Sequence, residues 1–167
     1  ELAAAIRGLK ALGFMGVNVT MPHKSRVLPL IDKIEKTAKE IGAVNTIARR
    51  SDALWGWNTD GKAAAAALMQ LGSLSGRKAL ILGAGGAASA IAHELSNTVA
   101  SMTILNRTRS KGSRLATKVR KWGRIPAASD PLNKTTLTKR TQQSDLIVST
   151  LPVDIFPVFG NLLIQER

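Results

Sequence analysis

One short stretch limits the folds open to this chain more than any other. The apolar run Ala79-Leu80-Ile81-Leu82 passes without a break into Gly83-Ala84-Gly85-Gly86-Ala87-Ala88. An apolar run of that length is a buried strand, and the glycines after it form a turn that opens a helix. Gly83 permits the tight turn, Gly85 lets a ligand approach the backbone, and Ala88 is small enough for close helix–strand packing. A helix starting near Gly86 points its N–H groups at the turn, which suits the pyrophosphate of a dinucleotide.

The surrounding chain supplies the context such a turn needs. Residues 78–82 read as a strand, 86–95 as a helix, 101–105 as a strand and 110–121 as a helix. A short strand is expected at 124–127 and another at 145–149. Alternation of this kind implies a parallel sheet covered by helices, so the fold class is α/β. Gly72-Ser73-Leu74-Ser75-Gly76 reads as a linker, which divides the chain into residues 1–72 and a Rossmann-type unit, 73–167.

The first unit is organised differently. Residues 1–12 read as a helix closed by Gly13, and 17–19 as a strand halted by Pro22. A helix is expected over 24–31 with a break at Pro29, and a second over 33–41 capped by Gly42. Strands at 43–48 and 53–57 flank a Ser51-Asp52 turn, and Thr59 or Asp60 caps an alanine-rich helix reaching residue 71. Lys24 and Asp60 each lie at a strand end in this unit. Brought together, a lysine and an aspartate can polarise a carbonyl and relay a proton; spacing alone does not establish that they meet.

The charge pattern narrows the cofactor. A site for NAD places an acidic residue about 20 positions after the glycines to hold the ribose 2′-hydroxyl. Here the corresponding stretch is Asn106-Arg107-Thr108-Arg109-Ser110-Lys111, which contains no acid. Guanidinium, ammonium and hydroxyl groups suit a 2′-phosphate, which favours NADP. The formal net charge of +13 invites a nucleic-acid reading, but the cations are scattered, tyrosine is absent and aromatics make up 4%. With little to stack bases on, no nucleic-acid partner is expected. No apolar run approaches the roughly 20 residues of a membrane span. There is no cysteine, and His23 and His93 lack carboxylate spacing around them, so no metal site is expected. His23 is expected to pack or cap, and Trp55 and Trp57 to belong to a core or rim. The setting is expected to be cytoplasmic.

The ordered motifs resemble the shikimate/quinate dehydrogenase family. They are residues 16–24 (Gly-Val-Asn-Val-Thr-Met-Pro-His-Lys), Gly42-Ala43-Val44-Asn45-Thr46, Asn58-Thr59-Asp60-Gly61, the glycine run, Asn106-Arg107-Thr108 and Ser149-Thr150-Leu151-Pro152. The resemblance implies NADP-dependent interconversion of 3-dehydroshikimate and shikimate. It implies that Lys24 and Asp60 are the catalytic pair and that Thr20, Asn45 and Asp60 bind substrate hydroxyls. Gly83, Ala84, Gly85, Gly86, Ala87 and Ala88 would hold the pyrophosphate. Asn106, Arg107, Thr108 and Lys111 would surround the adenine ribose phosphate, with Ser149 and Thr150 near the nicotinamide.

The pattern is not reproduced throughout. Ala63 stands where the family usually has glycine. The family's Ser-x-Ser strand and its glutamine-bearing C-terminal helix are expected outside these residues, so the chain reads as a piece expected to turn over poorly alone. A monomer or homodimer is expected. The competing readings are a quinate/shikimate dehydrogenase accepting NAD, and a non-catalytic ligand sensor of the same fold. Intact Lys24 and Asp60 argue against the sensor.

Overall fold

The computed structural model describes residues 1–151; Pro152 of the last motif and the residues after it lie outside them. The chain is α/β, with two four-stranded sheets among the described residues. The first half contains α1 (Leu2–Ala11), β1 (Gly16–Asn18), β2 (Lys33–Ile34), α2 (Lys36–Ile41), β3 (Thr46–Arg50) and β4 (Ala53–Trp57). Its strand order is β1-β3-β4-β2, with β2 parallel to β4 and the other pairs antiparallel. Ile6, Val27, Val44, Ile47 and Leu54 form its core.

Helix α3 (Asp60–Met69) leads into the second half: β5 (Lys78–Leu82), α4 (Gly86–Leu95), β6 (Ser101–Asn106), α5 (Arg109–Trp122), β7 (Ala127–Pro131), α6 (Lys134–Gln142) and β8 (Leu146–Ser149). All pairs in this sheet are parallel, in the order β7-β6-β5-β8. The order reverses direction between β5 and β8, and ligands of such sheets bind beyond the strand ends at that switch. The central β5 is buried from Ala79 to Leu82, as its uninterrupted apolar run requires. Leu74, in the glycine-serine stretch after α3, is buried in the same core.

Several expected elements differ in the structure. Residues 24–31 form turns and a single 3-10 turn, Leu28–Leu30, instead of a helix. Pro29 has no N–H to donate and disfavours helical backbone before it. The expected helix at 33–41 begins only at Lys36, where Glu35 caps it by accepting from Ala38 N at 3.1 Å. Lys33 and Ile34 instead pair with β4. The strand expected from 43 starts at Thr46, leaving Ala43, Val44 and Asn45 as a buried loop. β7 starts later than expected, after Arg124 takes a left-handed conformation with φ 54°. Helix α6 has no counterpart among the sequence expectations: only Leu137 of it is buried, so apolar periodicity is absent.

Candidate functional site

The loop from Gly42 to Asn45 is where the two halves meet. Gly42 closes α2 in the left-handed conformation, φ 81°, and reverses the chain. Val44 N then donates to Lys24 O at 2.8 Å, and Asn45 N to Trp57 O at 3.0 Å. The backbone thus brings Lys24, Asn45 and the end of β4 together. Asn58, just past β4, donates from Nδ2 to Ala43 O at 3.0 Å and accepts from Asp60 N at 3.1 Å.

Lys24 Nζ and Asp60 Oδ2 form an ion pair at 2.7 Å, with both side chains largely buried. Asn45 Nδ2 donates to the other carboxylate oxygen, Asp60 Oδ1, at 2.7 Å and to Thr59 Oγ1 at 2.9 Å. Asn45 Oδ1 accepts from Thr59 N at 3.0 Å and Thr46 Oγ1 at 2.9 Å. Asp60 is therefore held from both sides. Of the three N–H groups of an ammonium, Lys24 commits one to Asp60, so the others can meet a substrate oxygen. Thr59 occupies the expected cap position of α3, but its hydroxyl serves Asn45 and makes no helix-capping bond.

Thr20 lies exposed beyond β1, one residue after Val19 N donates to Asn45 O at 2.7 Å. That bond places Thr20 beside the constellation without a side-chain bond to it among the described residues. His23 N donates to Thr20 O at 2.9 Å and closes this turn. The stacked indoles of Trp55 and Trp57, 6.0 Å apart, carry the Arg50 guanidinium over them.

The glycine run follows β5 as expected. Gly83 has φ 109°, a conformation that penalises any side chain, and a Cβ there would also strike Thr150 Oγ1. Thr150 Oγ1 donates to Leu82 O at 2.9 Å, so the hydroxyl braces the turn. Ser149 lies in register with Leu82 at the end of β8. A Cβ on Gly85 would meet nothing within 4 Å, which leaves open space above the loop. No side chain among the described residues caps α4, so its first N–H groups stay available to an anion. This cradle fits a dinucleotide phosphate.

A crevice of about 300 Å³ runs from Ala84, Gly85 and Gly86 to Ile41 and Gly42 across the junction, with Lys111, Arg114 and Lys118 along its α5 side. The sequence reading places Lys111 there and omits Arg114 and Lys118. Their spacing along α5 was the available signal, since residues three and four apart share a helix face. Asn106 Nδ2 donates to Thr108 O at 2.9 Å and orders the turn into α5, while Arg107 and Thr108 are exposed and do not line the crevice. Burial, with Arg114 beside it, holds the Lys118 ammonium below the usual lysine pKa.

Comparisons with known proteins give the family. The profile of the shikimate dehydrogenase substrate binding domain matches residues 1–47, and that of shikimate/quinate 5-dehydrogenase matches residues 65–153. A shikimate dehydrogenase (NADP(+)) of Moorella thermoacetica is 38% identical over 94% of this chain; the chain spans 54% of that protein's length. The crystal structure of shikimate 5-dehydrogenase from Listeria monocytogenes with shikimate and NAD superimposes with a TM-score of 0.82 at 29% identity, covering 99% of this chain and 60% of that one. The Thermus thermophilus shikimate 5-dehydrogenase with NADP(H) and shikimate gives a TM-score of 0.73 at 29% identity, covering 90% and 52%. Two profile matches in the order of the two halves, together with these relatives, show that the chain belongs to the shikimate/quinate dehydrogenase family.

Proposed function

We propose that the protein containing this chain is a shikimate dehydrogenase, catalysing NADP-dependent interconversion of shikimate and 3-dehydroshikimate. The observation that carries the proposal is the Lys24–Asp60 pair, at 2.7 Å, set beside the glycine loop. A Cβ on Gly86 of that loop would stand 3.5 Å from Lys24 Cβ, so the two parts of the site adjoin.

Bound NADPH supplies the hydride for reduction of the ketone. Lys24 Nζ hydrogen-bonds the ketone oxygen, stabilises the charge growing on it and passes a proton to it; the reverse reaction returns the proton to Lys24. Asp60 orients Lys24 and offers a carboxylate oxygen to a substrate hydroxyl, and Thr20 and Asn45 contact other hydroxyls. Gly83 to Ala88 hold the pyrophosphate, while Asn106, Arg107, Thr108 and Lys111 surround the 2′-phosphate. Ser149 ends β8 and Thr150 follows it, facing the nicotinamide half. The absence of an acid after β6 supports NADP over NAD, because a carboxylate there would repel the phosphate. The reading extends to a cytoplasmic enzyme acting as a monomer or homodimer, with residues 1–72 serving substrate and 73–167 serving cofactor.

Reduced-nicotinamide absorbance on adding shikimate and NADP tests this, with quinate, NAD and Lys24→Ala in parallel. A signal with shikimate and NADP that the variant abolishes is expected. A stronger signal with quinate or NAD would reassign the substrate or cofactor. Silence from a sample that binds neither NADP nor shikimate would overturn the proposal.

A further inference from the structure

The last two carbonyls of α2 are held from the other half of the molecule. Ile41 O accepts from Ser89 Oγ of α4 at 2.8 Å and from Lys118 Nζ of α5 at 3.0 Å. Glu40 O accepts from the same Lys118 ammonium at 3.0 Å, and Glu40 Oε2 faces His93 Nε2 of α4 at 3.2 Å. The last carbonyls of a helix lack internal partners and carry its negative dipole end, so a lysine there is favourable. Gly42 follows at once, and a Cβ on it would stand 3.5 Å from Lys118 Nζ. The next residues are Ala43, against Gly86; Val44, bonded to Lys24; and Asn45, bonded to Asp60.

We propose that Lys118 is a positioning residue coupling the cofactor crevice to the catalytic loop. Its ammonium ties the end of α2 to α5 and thereby sets where Asn45 and Asp60 stand relative to Gly85 and Gly86. The inference rests on the proposed dehydrogenase function and adds a residue to it. Lys118 lines the crevice shared by Gly85, Gly86, Lys111 and Arg114. Its charge is partly desolvated and lies beside Arg114, which lowers its pKa. A phosphate at the loop would offset that repulsion and strengthen the hold on Glu40 O and Ile41 O. Cofactor binding would then order residues 42–46 and raise affinity for substrate, and by linkage substrate would raise affinity for cofactor.

Two readouts test the coupling in the parent, Lys118→Met, Lys118→Gln and Lys118→Arg, with Lys121→Met as the control on the same helix. The first is hydrogen exchange over residues 42–46 with and without NADP, which needs no turnover. The second is shikimate KM and kcat at saturating NADP. NADP is expected to slow exchange in the parent, Lys121→Met and Lys118→Arg, and not in Lys118→Met or Lys118→Gln. The neutral variants are expected to raise KM at least about fivefold, the lower end of typical couplings, with a smaller change in kcat. Lys118→Gln keeps a donor without the charge and serves if Lys118→Met does not fold. NADP-induced protection and KM unchanged in a folded neutral variant would overturn the role of Lys118 while leaving the dehydrogenase standing. A parent that binds NADP without any change over 42–46 would also overturn it. Failure of the parent to bind either NADP or shikimate would instead remove the functional reading and this inference with it.

Discussion

Gly86 of the cofactor loop lies against Lys24: a Cβ on the glycine would stand 3.5 Å from Lys24 Cβ and 3.7 Å from its Cδ. It would also stand 3.1 Å from Ala43 Cβ. The glycine loop proposed to hold phosphate and the lysine proposed to act on the substrate thus adjoin so closely that one added carbon would bring them into contact. Gly86→Ala asks Ala43 to yield by a few tenths of an ångström and is expected to leave activity close to the parent's. Gly86→Val presses on the lysine stem. Displacing a reacting group by about 1 Å can lower rate about a hundredfold, so Gly86→Val is expected to lose kcat by between about tenfold and a hundredfold. Steady-state kinetics with a melting curve on the same sample checks that the fold survives.

Asn45 joins Asp60, Thr59 and Thr46 and is itself 8% exposed. Asn45→Ala leaves the Thr59 amide and one side of Asp60 without partners. Each hydrogen bond lost from these part-buried groups is worth about 0.5–1.5 kcal/mol, and a drop in unfolding free energy of that order is expected by urea titration. Asn45→Asp is expected to lose more activity than Asn45→Ala, because it sets a second carboxylate against Asp60 Oδ1 and competes for Lys24.

Glu35 caps α2, whose far end leads into the loop that carries Asn45. Partial burial raises its carboxyl pKa, but the N–H groups of Thr37 and Ala38 outweigh that and bring it below its ordinary value of 4.5. The unfolded chain therefore binds the proton more readily than the folded one. The cap's contribution is complete above pH 4.5 and is lost as pH falls through the lower folded value. Glu35→Ala is expected to cost about 1 kcal/mol near neutral pH. That difference should shrink as pH falls below 4.5 in paired denaturation curves.

Gly61 opens α3 where it crosses α4, and a Cβ there would run into the Ala90 carbonyl oxygen. Alanine gains roughly 1 kcal/mol over glycine in a helix. Overpacking a tight contact costs about 1–3 kcal/mol, and backbone has little room to yield. Gly61→Ala is therefore expected to lower the melting temperature. A rise would show that the two helices are not in such close contact.

The strand, glycine turn and helix from residue 78 to 95 were legible because each rests on local chemistry. An apolar run of strand length, a glycine at φ 109° and an open helix start leave few alternatives. The separate motifs around Lys24, Asn45 and Asp60 were legible as residue types in order. Helix α6 was not, because its capping box, Asn133 with Thr136, is a weak signal without an apolar stripe. Glu35 as a cap was illegible for a similar reason: its short helix buries only Ala38 and Ile41.

What the sequence determined by itself is the α/β class, the order of motifs and the chemistry each can offer, since these follow from contacts a few residues apart. That Lys24 meets Asp60, 36 positions away, was decided by tertiary structure. So was the contact of Lys118 with Ile41, 77 positions away. Partners so distant in the chain are joined by the pairing of β1 with β3 and the packing of α2 on α4, and no local pattern encodes that distance. The site is a property of the junction between the halves, where a buried loop finds most of its hydrogen-bond partners far away in the sequence.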